Sequence, residues 1–183
     1  MDIDLVDLRS ICPRIVLDIR YATADNFLGR PVYPAPKCFL REKVAKKLVR
    51  IQERLEKRGL GLKVFDGYRP LSVQKIFWEQ LPDDRYVAHP AVGSKHNRAA
   101  AVDVTLLDAS GSELPMPTPF DSFSERAHRT YCDLPQDVLH NRTLLERAMG
   151  EEGFIPLPTE WWHFDDAEWS SYPIEDISLD LLR

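Results

Sequence analysis

Two hydrophobic periods run along this chain. Over residues 41–58, "REKVAKKLVRIQERLEKR", Val44, Leu48, Ile51 and Leu55 recur at helical spacing with charges between them. That pattern predicts an amphipathic helix, which Gly59 stops. Residues 62–70, "LKVFDGYRP", read as a short strand ending in a turn. Pro70 then stands where the first turn of the next helix, "LSVQKIFWEQL", begins. The period changes to two at 101–107, "AVDVTLL". This predicts a strand with Val102, Val104 and Leu106 on one face and Asp103 and Thr105 on the other. A second long helical pattern occupies 136–149 and ends near Gly150 and Gly153; the aromatic-rich "EWWHFDD" at 160–166 reads as a late strand. Helices and strands mix without regular βαβ alternation. The expected class is α+β, a central and mostly antiparallel sheet with flanking helices.

Composition narrows the picture. A chain of 183 residues, 44% of them hydrophobic, can build one domain with a real core, and residues 1–183 are read as a single domain. No repeat, low-complexity tract or long linker interrupts it. The 14 prolines are spread out, apart from a cluster in "PMPTP" at 115–119 that predicts an extended loop. The net charge of −5, with basic residues dispersed, argues against a nucleic-acid partner. No apolar run approaches the roughly 20 residues of a transmembrane helix. The first ten residues, "MDIDLVDLRS", carry acids where a signal peptide carries basic residues. The expectation is a cytoplasmic protein without membrane or protein partner. Cys12, Cys38 and Cys132 are odd in number and far apart, which implies neither a disulfide framework nor a cysteine zinc site.

The chemistry lies in the histidines. Of the five, His96 precedes Asp103 and His163 follows Glu160, both in strand-like surroundings. A catalytic zinc takes three nitrogen or oxygen ligands and leaves one position open for water. His96, Asp103 and His163 supply such a set, and Glu160 supplies a carboxylate to act as base. Spacing alone does not single them out, because H-x6-D is no general zinc pattern. A lone histidine is more often an ordinary core or surface residue, Asp103 also reads as a solvent-facing strand residue, and "EWWHF" also reads as aromatic core. In a straight strand Glu160 and His163 would point to opposite faces. A shared site therefore requires a bend, with Glu160 in a loop or at the strand's first position. Pro156 and Pro158 favour such a loop.

"SKHNRAAAVDVTL" resembles the S-x-H-x-x-G-x-A-x-D signature of the D-alanyl-D-alanine dipeptidases, the VanX-type zinc peptidases, and "EWWHF" is similar to their E-x-W-H motif. "YATADNFLGRPVY" (21–33), "FDGYRP" (65–70) and "MPTPFDSFSERAH" (116–128) resemble further segments of the family, in the family's order. The resemblance implies one Zn²⁺ per chain, held by His96, Asp103 and His163 in a cleft on one face of the sheet. It implies Glu160 as catalytic base and Arg69 as stabiliser of the transition state. It also implies Ser94, Asp121 and Tyr21 around the substrate, Asp121 near its ammonium group. The activity implied is hydrolysis of D-alanyl-D-alanine or a closely related free dipeptide. Alternatives are a zinc D,D-carboxypeptidase or L,D-peptidase acting on cell-wall peptides, and a non-catalytic zinc or muropeptide-binding module. Ala99 and Pro117 stand where the family pattern has glycine. At Ala99 either the backbone is ordinary or a methyl group narrows the site; at Pro117 the loop bearing Asp121 is expected to differ.

Overall fold

The computed structural model describes residues 4–182. The chain opens with β1 (Leu5–Asp7), the single-turn α1 (Leu8–Ile11) and β2 (Val16–Leu17). After a long irregular segment come β3 (Phe39–Arg41), α2 (Glu42–Glu56), β4 (Gly61–Asp66) and α3 (Leu71–Gln80). A short 3-10 helix (Lys95–Arg98) leads into β5 (Ala101–Leu107). The chain then runs through α4 (Gln136–Gly150), β6 (Phe154–Pro156) and β7 (His163–Asp166). The five-stranded sheet has the order β2-β4-β5-β7-β6, and only the β2–β4 pair is parallel. A small antiparallel ribbon joins β1 to β3. The α+β class and the mostly antiparallel sheet are as the sequence predicts.

Helix α2 follows its pattern closely. Val44, Leu48, Ile51 and Leu55 are buried, and Gly59 with φ +69° lets the chain turn back into β4. The buried Gln52 fixes the helix to that strand, because its Oε1 accepts from the Leu62 backbone N–H at 2.8 Å. Helix α4 buries Val138, Leu145 and Met149 and packs on β5 and β6. Helix α3 begins directly after Pro70.

Three features of the sheet differ from the sequence reading. All seven residues of β5 are buried, so neither of its faces meets solvent. The late strand spans only His163–Asp166 of the 160–166 stretch, and 160–162 form a turn, the bend that a shared site for Glu160 and His163 requires. Pro156 ends the edge strand β6 and so lies outside that turn, which Pro158 enters; an edge tolerates proline because no ladder N–H is required there. The shortest strands, β1, β2, β3 and β6, carry too few residues to show a period.

A register irregularity sets up the site. Val64 pairs with Val104, but Asp66 pairs with Asp103, so Phe65 is the extra residue of a bulge in β4. Asp103 in turn pairs with His163 on β7. Direct cross-strand partners share a face. Asp66, Asp103 and His163 therefore stand in a row across three neighbouring strands.

Candidate metal centre

The row brings three lone-pair donors to one point. His96 Nε2 lies 3.1 Å from His163 Nδ1, which lies 3.1 Å from Asp103 Oδ1; His96 Nε2 and Asp103 Oδ1 are 3.4 Å apart. Atoms about 2.0–2.2 Å from a tetrahedral zinc stand roughly 3.3–3.6 Å apart, and these spacings come within about 0.2 Å of that range.

The remaining ring nitrogens decide what faces inward. His96 Nδ1 is 2.7 Å from the Gly67 carbonyl oxygen, an acceptor, so it carries that ring's proton. His163 Nε2 is 2.7 Å from Asp165 Oδ1 and donates to it. With both protons turned outward, two imidazole lone pairs and a carboxylate converge, all buried. Such a set is repulsive without a cation and suits a divalent ion of zinc's ligand preference. The same field acts on His163. Without a cation to balance the carboxylates, its Nδ1 position attracts a proton instead. Burial works against a charged ring, yet Asp165 and Asp103 outweigh it and lift His163 to about 10, and a bound metal would take that proton's place. For Asp103, burial favours the neutral acid, but His96 and His163 hold it below the usual carboxylate range.

Each ligand is held by its own segment. His96 rides on the 3-10 helix whose N-cap is Ser94: the Ser94 hydroxyl accepts from the His96 backbone N–H at 3.2 Å, and Asn97 Oδ1 accepts from the Ser94 N–H at 2.6 Å. The Gly67 carbonyl comes close only because that residue lacks a side chain; a Cβ there would meet Cys38 Sγ at 2.5 Å. Ala99 closes the 3-10 helix in the left-handed region, φ 55° and ψ 33°. Its methyl group is fully buried in the core and does not line the cleft. Both expectations for this position are therefore corrected: the backbone is of the glycine-favouring kind, and the methyl does not narrow the site.

Glu160 sits in the turn before β7, and its Oε2 is 3.8 Å from His163 Nδ1. The required bend is present. The turn also buries Trp161 and Trp162, so "EWWHF" is aromatic core and site at once. Burial pushes Glu160 up to about 8, with His163 opposing and Asp103 and Asp121 adding to the rise.

All eight residues singled out in the sequence, Tyr21, Arg69, Ser94, His96, Asp103, Asp121, Glu160 and His163, line one cleft of about 150 Å³. Asp121 adopts φ 60°, and its Oδ2 accepts from the Tyr21 hydroxyl at 2.7 Å. Burial lifts Asp121 to about 8 against the lowering effect of that hydrogen bond. Arg69 is buried and anchored: Asp66 accepts from its Nε and Nη2 at 3.2 and 2.8 Å, and Gln74 accepts from its Nη1 at 2.9 Å. Its guanidinium also lies 4.3 Å from the Phe77 ring centroid.

Sequence reasoning missed the supporting residues. Asp165 was legible in principle, as an acid two positions after a ligand histidine and so on the same face of the strand. Asp66, which fixes Arg69, stands three residues before it in the "FDGYRP" segment, whereas Gln74, its other anchor, carried no sequence signal. His89, His128 and His140 stay outside the metal cluster. Cys12, Cys38 and Cys132 are free thiols, as expected.

Two imidazoles, a carboxylate and a neighbouring buried glutamate in a small cleft form the donor set of a metallohydrolase. The sequence matches, over residues 1–177, the family profile described as D-ala-D-ala dipeptidase. It is 37% identical over 171 residues to a D-alanyl-D-alanine dipeptidase of Escherichia coli (strain K12), covering 93% of this chain and 89% of that protein. A D-alanyl-D-alanine dipeptidase of Enterococcus faecium is 30% identical, with 90% and 92% covered. The chain belongs to the D-Ala-D-Ala dipeptidase family of peptidases. Its fold is also similar to that of the vancomycin-resistance D,D-pentapeptidase VanY, solved in complex with Zn(II), with a TM-score of 0.50 at 15% identity over 75% of this chain and 78% of that one.

Proposed function

We propose that this protein is a single-domain zinc peptidase that hydrolyses free D-alanyl-D-alanine to two alanines. The observation that carries the reading is the convergence of His96, Asp103 and His163 in the cleft, with Glu160 beside them. A bound zinc would supply Lewis acidity and lower the pKa of water from about 15.7 to about 7. Glu160 accepts the proton of the attacking water and delivers it to the leaving amine. Burial raises the proton affinity of this carboxylate, and a cation beside it would favour the charged form that can accept the proton. The two influences together suit a group that takes up and returns a proton near neutral pH. Arg69 stabilises the oxyanion as the carbonyl carbon becomes tetrahedral. Asp66 and Gln74 hold the guanidinium in place, so little reorganisation is needed at that moment.

The ends of the substrate are recognised by groups already in position. Asp121, tethered to Tyr21, receives the ammonium group. The Ser94 oxygen caps the helix of His96, which leaves its hydroxyl proton to donate to the substrate carboxylate. A cleft of about 150 Å³ is below the roughly 300–1,000 Å³ that drug-sized ligands occupy, which favours a dipeptide over a cell-wall peptide. The reading places the enzyme in the cytoplasm, where free thiols such as its three persist. Among the described residues no helix is long and apolar enough to cross a membrane.

A panel of dipeptides varying in stereochemistry and end-blocking tests the reading, using wild type and Glu160→Ala. Free D,D-dipeptides should be cleaved, N-acylated or longer peptides should react poorly, and the variant should keep zinc while losing about 10²–10⁴ in turnover. Faster cleavage of N-acylated peptides would point instead to a carboxypeptidase. Normal turnover by Glu160→Ala would remove the assigned base.

A further inference from the structure

Residues 157–163 form a closed loop that carries both Glu160 and His163. The Leu157 N–H donates to the His163 carbonyl at 3.1 Å, and the Glu160 N–H donates to the Leu157 carbonyl at 3.4 Å. A third bond of the turn, from the His163 N–H to the Glu160 carbonyl at 3.4 Å, joins the two residues directly, and Arg129 shares the acceptor of each of the first two. Its Nε donates to the Leu157 carbonyl at 2.8 Å and its Nη2 to the His163 carbonyl at 3.0 Å. Its backbone N–H donates to the Pro158 carbonyl at 2.9 Å. The third guanidinium nitrogen, Nη1, is 3.1 Å from Glu146 Oε2 on α4. The group packs over the Phe164 ring, 4.5 Å from its centroid, and the side chain is only 10% exposed.

We infer that Arg129 is a positioning residue, a clamp that fixes Glu160 relative to His163 by holding the two ends of their shared turn. The guanidinium is suited to this because its donors lie in one rigid plane and reach two carbonyls at once, which an ammonium cannot do. The two contacted carbonyls belong to the residue that accepts the Glu160 N–H and to His163 itself. A displacement on the order of 1 Å at a reacting group costs about a hundredfold in rate. Arg129 does not line the cleft, so its contribution passes through the turn and not through substrate contact. The inference rests on the proposed roles of Glu160 and His163.

Arg129→Met keeps the apolar stem over Phe164 and removes every guanidinium bond. The full chain should remain folded and bind one zinc. Its kcat should fall about 10- to 100-fold with KM within about threefold, because the substrate-end residues lie on other segments. Arg129→Lys should fall between the two, and Glu146→Gln, which leaves both carbonyl contacts intact, should stay near wild type. Cobalt(II)-loaded Arg129→Met should show shifted d–d bands relative to cobalt(II)-loaded wild type, a change that a loss of stability alone would not produce. Folded Arg129→Met with kcat within twofold of wild type and an unchanged cobalt spectrum would overturn the clamp. So would an equal loss in Glu146→Gln. Wild-type protein inactive on D-alanyl-D-alanine would sink the proposed activity instead, and the cobalt spectrum would still decide the clamp.

Discussion

Asp103 and His163 are direct partners across β5 and β7, and Oδ1 of the first lies 3.1 Å from Nδ1 of the second. Strand pairing thus does the work of assembling the centre: two of the three donors are neighbours by register, and only His96 comes from outside the sheet. The ladder's hydrogen bonds fix the backbone of both ligands, which favours a rigid centre. That rigidity favours tight binding.

The first prediction concerns metal. Chelation should abolish turnover and lower the melting temperature, and zinc at 100 times its Kd should restore about 2.7 kcal/mol of stability. Asp103→Ala and His163→Ala should not be stabilised by zinc at that concentration. Calorimetric melting with and without the ion checks this, and equal zinc-induced shifts in wild type and Asp103→Ala would remove Asp103 from the ligand set.

Asp165 holds the outer nitrogen of His163 at 2.7 Å. Asp165→Asn should weaken zinc affinity by about 10- to 100-fold, since such carboxylates fix the tautomer and raise ligand basicity. Competition with a chromophoric chelator measures it. Unchanged affinity would mean that the ring is oriented by other contacts.

Stability should also depend on pH in a defined direction. Burial lifts Asp121 and Glu160 to about 8 from ordinary values of 3.8 and 4.5. The folded chain then keeps protons that the unfolded chain has released. This contribution is fully present below about pH 4 and is lost as pH rises through about 8. Metal-free protein should melt at progressively lower temperature over that window, and Asp121→Asn should flatten part of the slope. A cation beside Glu160 favours its charged form, so zinc-loaded protein should show a shallower fall. Parallel slopes for metal-free wild type and Asp121→Asn would exclude Asp121 as a raised acid.

Ala99 offers a test away from the chemistry. A left-handed alanine is strained by roughly 1–2 kcal/mol. Glycine would relieve that, yet lose one buried methyl group and gain unfolded-state freedom. Ala99→Gly should therefore change stability by less than about 1 kcal/mol. Ala99→Val should cost more than about 2 kcal/mol, because a β-branched residue is poorly accommodated at positive φ. Chemical denaturation gives both values. Neither variant should alter kcat/KM while folded, since the Ala99 side chain lies in the core and not in the cleft.

Much of this protein is legible in its sequence. Helices α2 and α4 are long enough to show their period, and their buried residues repeat at helical spacing. The strand β5 showed itself by alternation, and the bend before His163 followed from side-chain direction alone, since Glu160 and His163 cannot otherwise serve one ion. The eight site residues were named from motifs, and all of them line one cleft.

What the sequence determined by itself was local: periods, turn residues, and which side chains have the chemistry to bind a metal or move a proton. Tertiary structure decided everything that depends on register and on partners distant in the chain. The bulge at Phe65 sets Asp66 beside Asp103, and a bulge arises from how two strands fit and not from either strand alone. The outward protons of His96 and His163 are set by the Gly67 carbonyl, 29 residues away, and by Asp165. The buried settings that lift Glu160 and Asp121 exist only once the chain has closed around them. A sequence specifies which groups are available, but their charge states follow from the distances and the loss of water that folding imposes.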